Sequence, residues 1–566
     1  MRRIVPNAVR GDNRLQPPTL SSPMRLFANT ARPIHDAPTP RSRVVDVLRL
    51  LWLLLLILPA ASSTSATQPW DIDSRTLFGL SCWLLLATRL VLPARWFFPL
   101  SLPVALAAVV CMGADFLRHA DVLELGLQWA TFKPEEVRAT LQPYAGVVAL
   151  GGLVLVGWCW ACARGPDPRR FVRALPIGAA VFTVVLAFAL PKVAWVRAWP
   201  LNAVLVVVTA ATHSQALVAA LQPALSTVDP RDPHATWHAR ATSTAARQTL
   251  VFIVGESVRA DFLRECHGPE RVRAVGAGAL VACDVTSGSD ATHTSVPLLI
   301  SREMPGRPFR VSRDATFERA FQEAGFETHW IGDQGNSLAW PDAQFQAYPD
   351  YKTSDEAALG PPLAEALARP APRKAIVLHA YNAHDPYCSR FDPAQAPYPV
   401  DCERLRGLPE GADAKALRVS YADAVDVSVR FVDSVIDTLR REPGEAFLLF
   451  TPDHGDNIYD DPRHLYGHAM RQPTRWDVHV PAIFWANDAW RAAHPRQWAN
   501  LQAQAAAPLM HADMVPTFLA AGGVVYEEPR TLAIDLLDAS VPARQRTIQR
   551  ALGATVDWDT LVREAR

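Results

Sequence analysis

The sequence carries no net charge. Lysine and arginine total 56, and aspartate and glutamate also total 56, so the formal charge at neutral pH is +0. A basic excess is the usual mark of a nucleic-acid-binding protein, because Lys and Arg neutralise the phosphate backbone. The overall charge therefore gives no reason to expect a nucleic-acid partner, and none is predicted.

Cysteine is scarce, with eight residues in 566, and the sequence has no internal repeats. None of the cysteine spacings resembles a zinc ribbon. Four of these cysteines lie after residue 222, in the less apolar part of the chain: Cys266, Cys283, Cys388 and Cys402. Two local disulfides, Cys266–Cys283 and Cys388–Cys402, would be natural in an oxidising compartment. Spacing alone leaves the connectivity open, and free thiols remain an alternative.

Long apolar runs are confined to the first 222 residues. Five segments have this character: Val45–Ala61, Thr76–Leu92, Phe97–Ala114, Tyr144–Ala163 and Ala174–Trp195. Each approaches the ~20 residues that cross a bilayer core, and almost no charge interrupts them. Five such segments have no polar face to present to water, so buried core helices are a poor interpretation. We predict a five-helix transmembrane bundle over residues 45–195.

The connections between these segments predict the orientation. Residues 1–44 contain eight Arg against two Asp and are rich in proline, which indicates a disordered cytoplasmic tail, and the fourth connection, "RGPDPRRFVR", is also basic. An odd number of spans then puts residues 248–566 on the far side, which in a Gram-negative cell is the periplasm. Trp199–Leu221 is an alternative sixth span, but its polar residues favour an interfacial helix, followed by a linker to residue 247.

Beyond the linker, short apolar runs alternate with helical stretches. The runs are "TLVFIVGES", "THWIGDQ", "KAIVLHAYNAH", "AFLLFTPDHGD" and "HVPAIFWAND". Continuous apolar runs are typical of strands that are covered on both faces, and strand–helix alternation is typical of parallel sheets. Residues 248–566 are therefore predicted to form an α/β domain with a doubly wound, mainly parallel sheet.

Three of these runs end in side chains that bind metals. Glu256 follows the first, His379 and His384 end the third, and Asp453 and His454 follow the fourth. In open α/β sheets ligands collect beyond the carboxyl ends of the strands. Carboxylate oxygen together with imidazole nitrogen suits zinc, and three protein ligands leave a fourth position open for catalysis.

A hydroxyl-rich segment, "TSGSDATHTSVPLLIS", lies between the first two strand ends. A Ser or Thr hydroxyl becomes a usable nucleophile when a metal or a base lowers its pKa. Composition alone does not distinguish six candidates: Thr286, Ser287, Ser289, Thr292, Thr294 and Ser295.

Five motifs together resemble a known family. In chain order they are "VFIVGESVRADF", "DATHTSVPLLIS", "LHAYNAHDPY", "TPDHGDN" and "YGHAM". The set is similar to that of the bacterial membrane-bound phosphoethanolamine transferases, which modify lipid A or lipopolysaccharide core, include mobile colistin-resistance enzymes, and belong to the alkaline phosphatase/sulfatase superfamily. The resemblance extends from about Val45 to the end of the chain.

The resemblance implies roles for particular residues. By motif position, Thr292 is the nucleophile, while His384 and His468 hold the substrate phosphate or transfer protons. His464 competes with His468 for that role, and His379 is assigned to strand-end structure. Asp290 and Asp456, which lie near the motifs, receive no role. The implied zinc (Zn2+) ligands are Glu256, Thr292, Asp453 and His454.

The implied reaction moves phosphoethanolamine from phosphatidylethanolamine through a phospho-threonine onto lipopolysaccharide or a periplasmic glycan, releasing diacylglycerol at the bacterial inner membrane. One alternative is a phosphoglycerol transferase of the same superfamily, and another is a non-catalytic membrane scaffold. The sequence departs from the family pattern at Gly288 and Leu298, where some relatives have a cysteine pair, and at Asn382, where they have glycine.

Overall fold

The computed structural model describes residues 145–164, 175–189 and 235–564, with five isolated positions between 80 and 88. The last range is interrupted at 270–271, 307–313, 335–340, 350–355, 395, 406–412, 461–463, 470–472, 528–532, 539 and 551–554. The predicted tail at 1–44, the first and third predicted spans and the predicted interfacial helix lie outside the described residues.

Two helices with defined bounds precede residue 235 in the part of the chain that the structure describes. Helices α1 (Ala145–Arg164) and α2 (Leu175–Ala189) coincide with the fourth and fifth predicted spans. Trp83, in the second predicted span, donates a 3.0 Å hydrogen bond from Nε1 to the Thr183 hydroxyl of α2. Among the residues described here, no helix combines the length and apolar character needed to cross a membrane. The five-span bundle stays a prediction.

The α/β domain contains fourteen strands and nine further α-helices within its described residues. The strands are β1 (Arg240–Ala241), β2 (Gln248–Gly255), β3 (Leu280–Thr286), β4 (Glu327–Gly332), β5 (Phe345–Ala347), β6 (Arg373–His379), β7 (Glu445–Pro452), β8 (Asn457–Ile458), β9 (Tyr466–Gly467), β10 (His479–Ala486), β11 (Leu509–Met510), β12 (Val524–Val525), β13 (Thr547–Gln549) and β14 (Thr555–Asp557). The helices are α3 (Thr292–Ile300), α4 (Phe317–Glu323), α5 (Gly360–Ala368), α6 (Ala414–Leu439), α7 (Arg475–Val478), α8 (Asp488–Ala493), α9 (Pro495–Gln504), α10 (Met514–Ala521) and α11 (Trp558–Glu564).

Eight of the strands form one central sheet in the order β11-β3-β10-β7-β2-β6-β4-β5. Strands β7, β2, β6, β4 and β5 are mutually parallel, as are β11 and β3, which confirms the α/β class. Strand β10 runs antiparallel to both of its neighbours, so the sheet is mixed. After β7 the chain forms β8, β9 and α7, and then returns to the sheet as β10, which pairs directly with β7.

Helices cover both faces of the sheet. Residues at alternate positions of each central strand belong to two separate apolar clusters, one shared with α3, α4 and α10 and the other with α6. Every residue of β2 is buried, as its continuous apolar run predicts. Asp413 directly precedes helix α6, and its carboxylate accepts a 2.8 Å hydrogen bond from the Ala416 amide and so caps the helix.

The domain begins before residue 248. Trp237, in the segment assigned to the linker, is fully buried and donates from Nε1 to the Ala315 carbonyl at 3.0 Å. Strand β1 then pairs antiparallel with β12, aligning Arg240 with Val525. Residues 235–241 therefore belong to the folded domain, because a buried tryptophan and a strand pairing anchor them.

Both local disulfides anticipated from the sequence are confirmed. Cys266 bonds to Cys283 of β3, with Cα atoms 5.5 Å apart, and Cys388 bonds to Cys402 at 6.1 Å. The first bond ties the segment after β2 to β3, the next strand of the central sheet in chain order, which lies three positions away from β2 in that sheet. The second closes a loop beyond β6, next to the strand ends that carry the candidate site.

Candidate active site

The candidate site lies at the carboxyl ends of β2 and β7, which are adjacent and parallel. Gly255 is aligned with Pro452, and the Asp453 amide donates to the Gly255 carbonyl at 3.0 Å. A Cβ on Gly255 would lie 2.6 Å from the Phe450 ring, so only glycine allows this approach. The sheet thereby places Glu256 beside Asp453, as the strand-end argument predicts.

Glu256 is fully buried and has two hydrogen-bonded oxygens. Its Oε1 accepts from the Ser257 hydroxyl at 2.6 Å, and its Oε2 accepts from Gln334 Nε2 at 2.8 Å. Burial, reinforced by the neighbouring Asp453 carboxylate, raises the pKa of Glu256 to about 8. Two carboxylates buried together disfavour the doubly ionised state unless a cation accompanies them.

Asp453 and His454 form the other half of this group. Asp453 Oδ1 accepts from the amides of Ser257 at 3.1 Å and His454 at 2.8 Å, while its Oδ2 lies 3.4 Å from His454 Nε2. Burial lowers the pKa of His454, but the carboxylates of Asp453 and Glu256 outweigh burial and raise it to about 9. The site therefore attracts positive charge.

Thr292 is the first residue of α3 and brings a hydroxyl into this group. Its Oγ1 lies 3.1 Å from His454 Nε2 and 3.4 Å from Glu256 Oε2. The Ser295 hydroxyl instead donates to the Asp453 carbonyl at 2.6 Å, and the Ser287 hydroxyl donates to the Ser289 carbonyl. The geometry thus favours Thr292 among the candidate hydroxyls.

His468 completes the group from the β8–β9 side. Its Nδ1 lies 2.9 Å from Asp456 Oδ1, while Asp456 Oδ2 accepts a 2.6 Å hydrogen bond from the Tyr387 hydroxyl. A carboxylate on Nδ1 fixes the ring so that Nε2 is available for a ligand, the usual arrangement around metal-binding histidines. The ring lies 4.2 Å from the His454 ring, centroid to centroid.

The remaining histidines occupy different positions. His384 Nδ1 donates to the Asp385 carbonyl at 2.6 Å, and its ring is stacked on Tyr381 and 5.3 Å from the His468 ring. Burial lowers the pKa of His384 to about 4, so its imidazole is neutral at physiological pH. His464 is exposed and His379 is buried at the end of β6. The structure thus places His384 and His468, but not His464, at the site.

The residues present fit a zinc ion. Ligand atoms of Glu256, His454 and His468 all lie within 4.8 Å of one another. Asp453 Oδ2 is buried 3.4 Å from His454 Nε2, which adds an anionic oxygen that suits a cation to the group. All four expected ligands therefore lie together, and the structure adds His468 as a further candidate.

Three contributors to the site were missed as functional residues. Gln334 bonds to Glu256, the Ser257 hydroxyl donates to the same carboxylate, and Asp456 orients His468. Gln334 lies two residues after the end of β4, and Glu256 directly follows β2. The rule that ligands bind beyond the carboxyl ends of strands could therefore have identified Gln334 as a candidate. Asp456 lies three residues after Asp453, but its partner is twelve residues away, and spacing alone does not pair them.

We expect Asp456→Asn to lower turnover about 10- to 100-fold, as loss of an outer-shell carboxylate usually does. The amide no longer holds the proton on His468 Nδ1, so the ring loses its preferred tautomer. Steady-state kinetics measure the loss, and thermal unfolding checks the fold. Tyr387→Phe is the matched control: it removes the other bond to Asp456 and keeps the His468 contact. Equal losses in both variants would argue against an orienting role.

Comparison with known proteins agrees with the fold and the motifs. The Sulfatase family pattern matches residues 248–524. Phosphoethanolamine transferase EptC of Escherichia coli K12 is 26% identical over 294 residues, covering 45% of this chain and 47% of EptC. Phosphoethanolamine transferase CptA of Salmonella typhimurium LT2 is 25% identical over 293 residues, covering 45% and 48%. The chain thus spans about half the length of the curated relatives it matches.

A solved structure shows the same fold. The integral membrane protein lipooligosaccharide phosphoethanolamine transferase A of Neisseria meningitidis has a TM-score of 0.55 at 15% identity, covering 88% of this chain and 99% of that protein. At such identity the likeness concerns the fold alone. Residues 248–524 are therefore a Sulfatase-family domain of the alkaline phosphatase/sulfatase-like α/β fold, and the matched part of the chain resembles the phosphoethanolamine transferases.

Proposed function

We propose that this protein is a zinc-dependent phosphoethanolamine transferase. It takes phosphoethanolamine from phosphatidylethanolamine and passes it to lipopolysaccharide, at lipid A or core, or to another envelope glycan. The observation that carries this proposal is the Thr292 hydroxyl, which lies 3.1 Å from His454 Nε2 within a buried acid–imidazole group. The resemblance to EptC and CptA supports the choice of phosphoethanolamine as the transferred group.

The first step forms a bond between Thr292 Oγ1 and the donor phosphorus. The bond from phosphorus to the diacylglycerol oxygen breaks, the Thr292 proton leaves to a nearby base, and diacylglycerol departs with a proton. Glu256 and His454 are the groups nearest to the hydroxyl. Zinc, when bound, supplies positive charge that offsets the negative charge on the phosphoryl group.

The second step transfers the group from Thr292 to the acceptor. An acceptor hydroxyl or phosphate oxygen bonds to phosphorus and gives up its proton, the bond from phosphorus to Thr292 Oγ1 breaks, and Oγ1 takes up a proton to restore the hydroxyl. Thr292 begins a nine-residue helix, and the amino end of a helix favours a negatively charged group such as the transferred phosphate. The neutral His384 and the oriented His468 lie on the open side of the group, where they can hold the phosphate or move a proton.

The first two helices support a membrane location. Their surfaces expose large apolar side chains, with Phe188 90% exposed and Leu153 64% exposed. Exposed apolar area of this kind is stable when lipid or protein covers it. Together with the two disulfides, it supports a multi-pass protein of the inner membrane with its catalytic domain in the periplasm. That location puts the site beside a donor lipid that stays in the bilayer.

Mass spectrometry of lipopolysaccharide from cells that express the protein tests the proposal. We expect a phosphoethanolamine mass increment on lipid A or on core, and no increment with Thr292→Ala. The position of the increment identifies the acceptor. If both forms are folded and zinc-loaded and neither adds an increment to lipopolysaccharide or glycan, the assignment is wrong and the phosphoglycerol alternative is favoured.

A further inference from the structure

Asp333 is a buried acid with an incompletely satisfied carboxylate. It follows β4 directly, is 4% exposed, and its Oδ1 has no hydrogen-bond partner among the described residues. Burial raises the pKa of Asp333 to about 7, although the Arg390 guanidinium and the amides of Asp333 and Tyr381 oppose this. The charge on this carboxylate is therefore only partly compensated, which is the condition that a cationic group relieves.

Arg390 does not pair with this carboxylate. Its Nε donates to the His384 carbonyl at 2.8 Å, and another of its nitrogens donates to the Asp385 carbonyl at 3.3 Å. Its guanidinium lies over the Tyr381 ring, 4.1 Å from the centroid. Arg390 thus binds the loop after β6 and forms no hydrogen bond with Asp333 Oδ1.

Asn382, which lies just beyond the end of the adjacent strand β6, is also buried and also has polar atoms without a hydrogen-bond partner among the described residues. It follows β6, is 3% exposed, and neither its Oδ1 nor its Nδ2 has a hydrogen-bond partner among the described residues. A buried amide without a hydrogen-bond partner is destabilising, so native structures usually give such groups a partner. Asn382 offers one acceptor and two donors that the described protein does not use.

Strand pairing places the two residues just beyond the ends of adjacent strands, next to the candidate active site. Gly332 of β4 is aligned with His379 of β6, and the Asp333 amide donates to the His379 carbonyl at 3.2 Å. The residue after Asp333 is Gln334, which donates both to Glu256 at 2.8 Å and to the Ala380 carbonyl at 3.0 Å. Asp333 is therefore the immediate neighbour in sequence of a residue that contacts Glu256.

We propose that Asp333 and Asn382 form a subsite for the primary ammonium group of the donor, a specificity determinant that rests on the function proposed above. An ammonium carries three N–H donors and a positive charge, which match a carboxylate oxygen and an amide oxygen. A phosphate or sugar phosphate is a poor match, because Asp333 repels an anion. In phosphoethanolamine two carbon atoms separate the ammonium nitrogen from the phosphate oxygen, so a subsite for the ammonium has to lie close to the groups that hold the phosphate.

A competition experiment with the full-length protein in vesicles tests this subsite. The vesicles contain equal amounts of phosphatidylethanolamine, phosphatidylcholine and phosphatidylglycerol, each with different acyl chains. Mass spectrometry of the released diacylglycerol then identifies the donor. Because the three lipids compete in one reaction, the product ratio reports specificity whatever the fraction of active enzyme.

We expect the wild-type protein to favour phosphatidylethanolamine. Asp333→Asn keeps the shape and removes the charge, so the preference over phosphatidylglycerol falls about 10-fold or more. Asn382→Leu removes the amide acceptor, so the preference over phosphatidylcholine, which has no N–H to donate, falls as well. Glu327→Gln, at the opposite end of β4, is the matched control and leaves both ratios unchanged.

Unchanged ratios in both variants, with an active wild-type enzyme, overturn the subsite and leave the proposed function standing. A wild-type protein that releases no diacylglycerol from phosphatidylethanolamine overturns the proposed function, and the subsite with it. For a variant that is inactive on every lipid, thermal unfolding with added O-phosphoethanolamine or glycerol phosphate replaces the assay. Wild-type-like stabilisation by O-phosphoethanolamine in Asp333→Asn then rejects the subsite.

Discussion

Replacing Thr292 by alanine is expected to abolish transfer, with turnover falling by roughly 10⁴-fold or more, as loss of a covalent nucleophile usually does. The methyl group of alanine lacks the oxygen that lies 3.1 Å from His454 Nε2 and 3.4 Å from Glu256 Oε2. The fold should persist, since Thr292 is the first residue of α3 and its side chain is only partly buried. Release of diacylglycerol from phosphatidylethanolamine vesicles measures the effect.

Thr292→Ser is the matched variant for this prediction. It keeps the hydroxyl and loses one methyl group, so we expect measurable transfer and a covalent phosphoethanolamine adduct on residue 292 in the intact-protein mass. Thr294→Ala, in the first turn of the same helix, should retain turnover. Normal turnover by Thr292→Ala, or an adduct on another hydroxyl such as that of Ser295, would reject Thr292 as the nucleophile.

Replacing Glu256 by glutamine is expected to remove both zinc and activity. The substitution keeps the shape of the side chain but takes one of two buried carboxylates from the group that contains His454 and His468. We expect zinc per chain to fall by about half or more and turnover to fall by about 10²-fold or more, because the charge that balances the cation is reduced. Elemental analysis of purified protein measures the metal directly.

Glu445→Gln is the control for the metal measurement. Glu445 is another glutamate at the end of a central strand. It is partly buried and begins β7 at the opposite edge of the sheet, where it contacts His494 and Gln248. Its replacement should leave zinc content unchanged. Full zinc occupancy in Glu256→Gln would show that this carboxylate is not a ligand, whatever the effect on turnover.

The chain order of the strands and the chemistry at their ends were predictable from sequence. A continuous apolar run such as β2 indicates a strand covered on both faces, and the carboxyl ends of parallel strands share one edge of a sheet. These two rules place Glu256 near Asp453 and His454 without any structure. The two disulfides were natural pairings of cysteines that are close in sequence, but spacing left the connectivity open until the structure showed it.

Choosing one hydroxyl among six needed more than the strand rules. Thr292 came from the resemblance to a family, and the structure supports it because α3 begins at that residue and directs Oγ1 toward His454. The neighbouring hydroxyls of Ser287 and Ser295 bond to backbone carbonyls instead. Local composition cannot predict which of these hydroxyls faces His454, because that depends on the residue at which the helix starts.

Sequence by itself determined the α/β class, the mainly parallel sheet and the residues at the strand ends that carry the candidate site, because apolar runs and strand ends are local features. Tertiary structure alone decided the rest. It showed that β10 runs antiparallel, that Trp237 belongs to the domain, that Asp456 orients His468, and that Asp333 and Asn382 lie on neighbouring strand ends. Each of these depends on contacts between distant parts of the chain, and no spacing rule encodes such contacts.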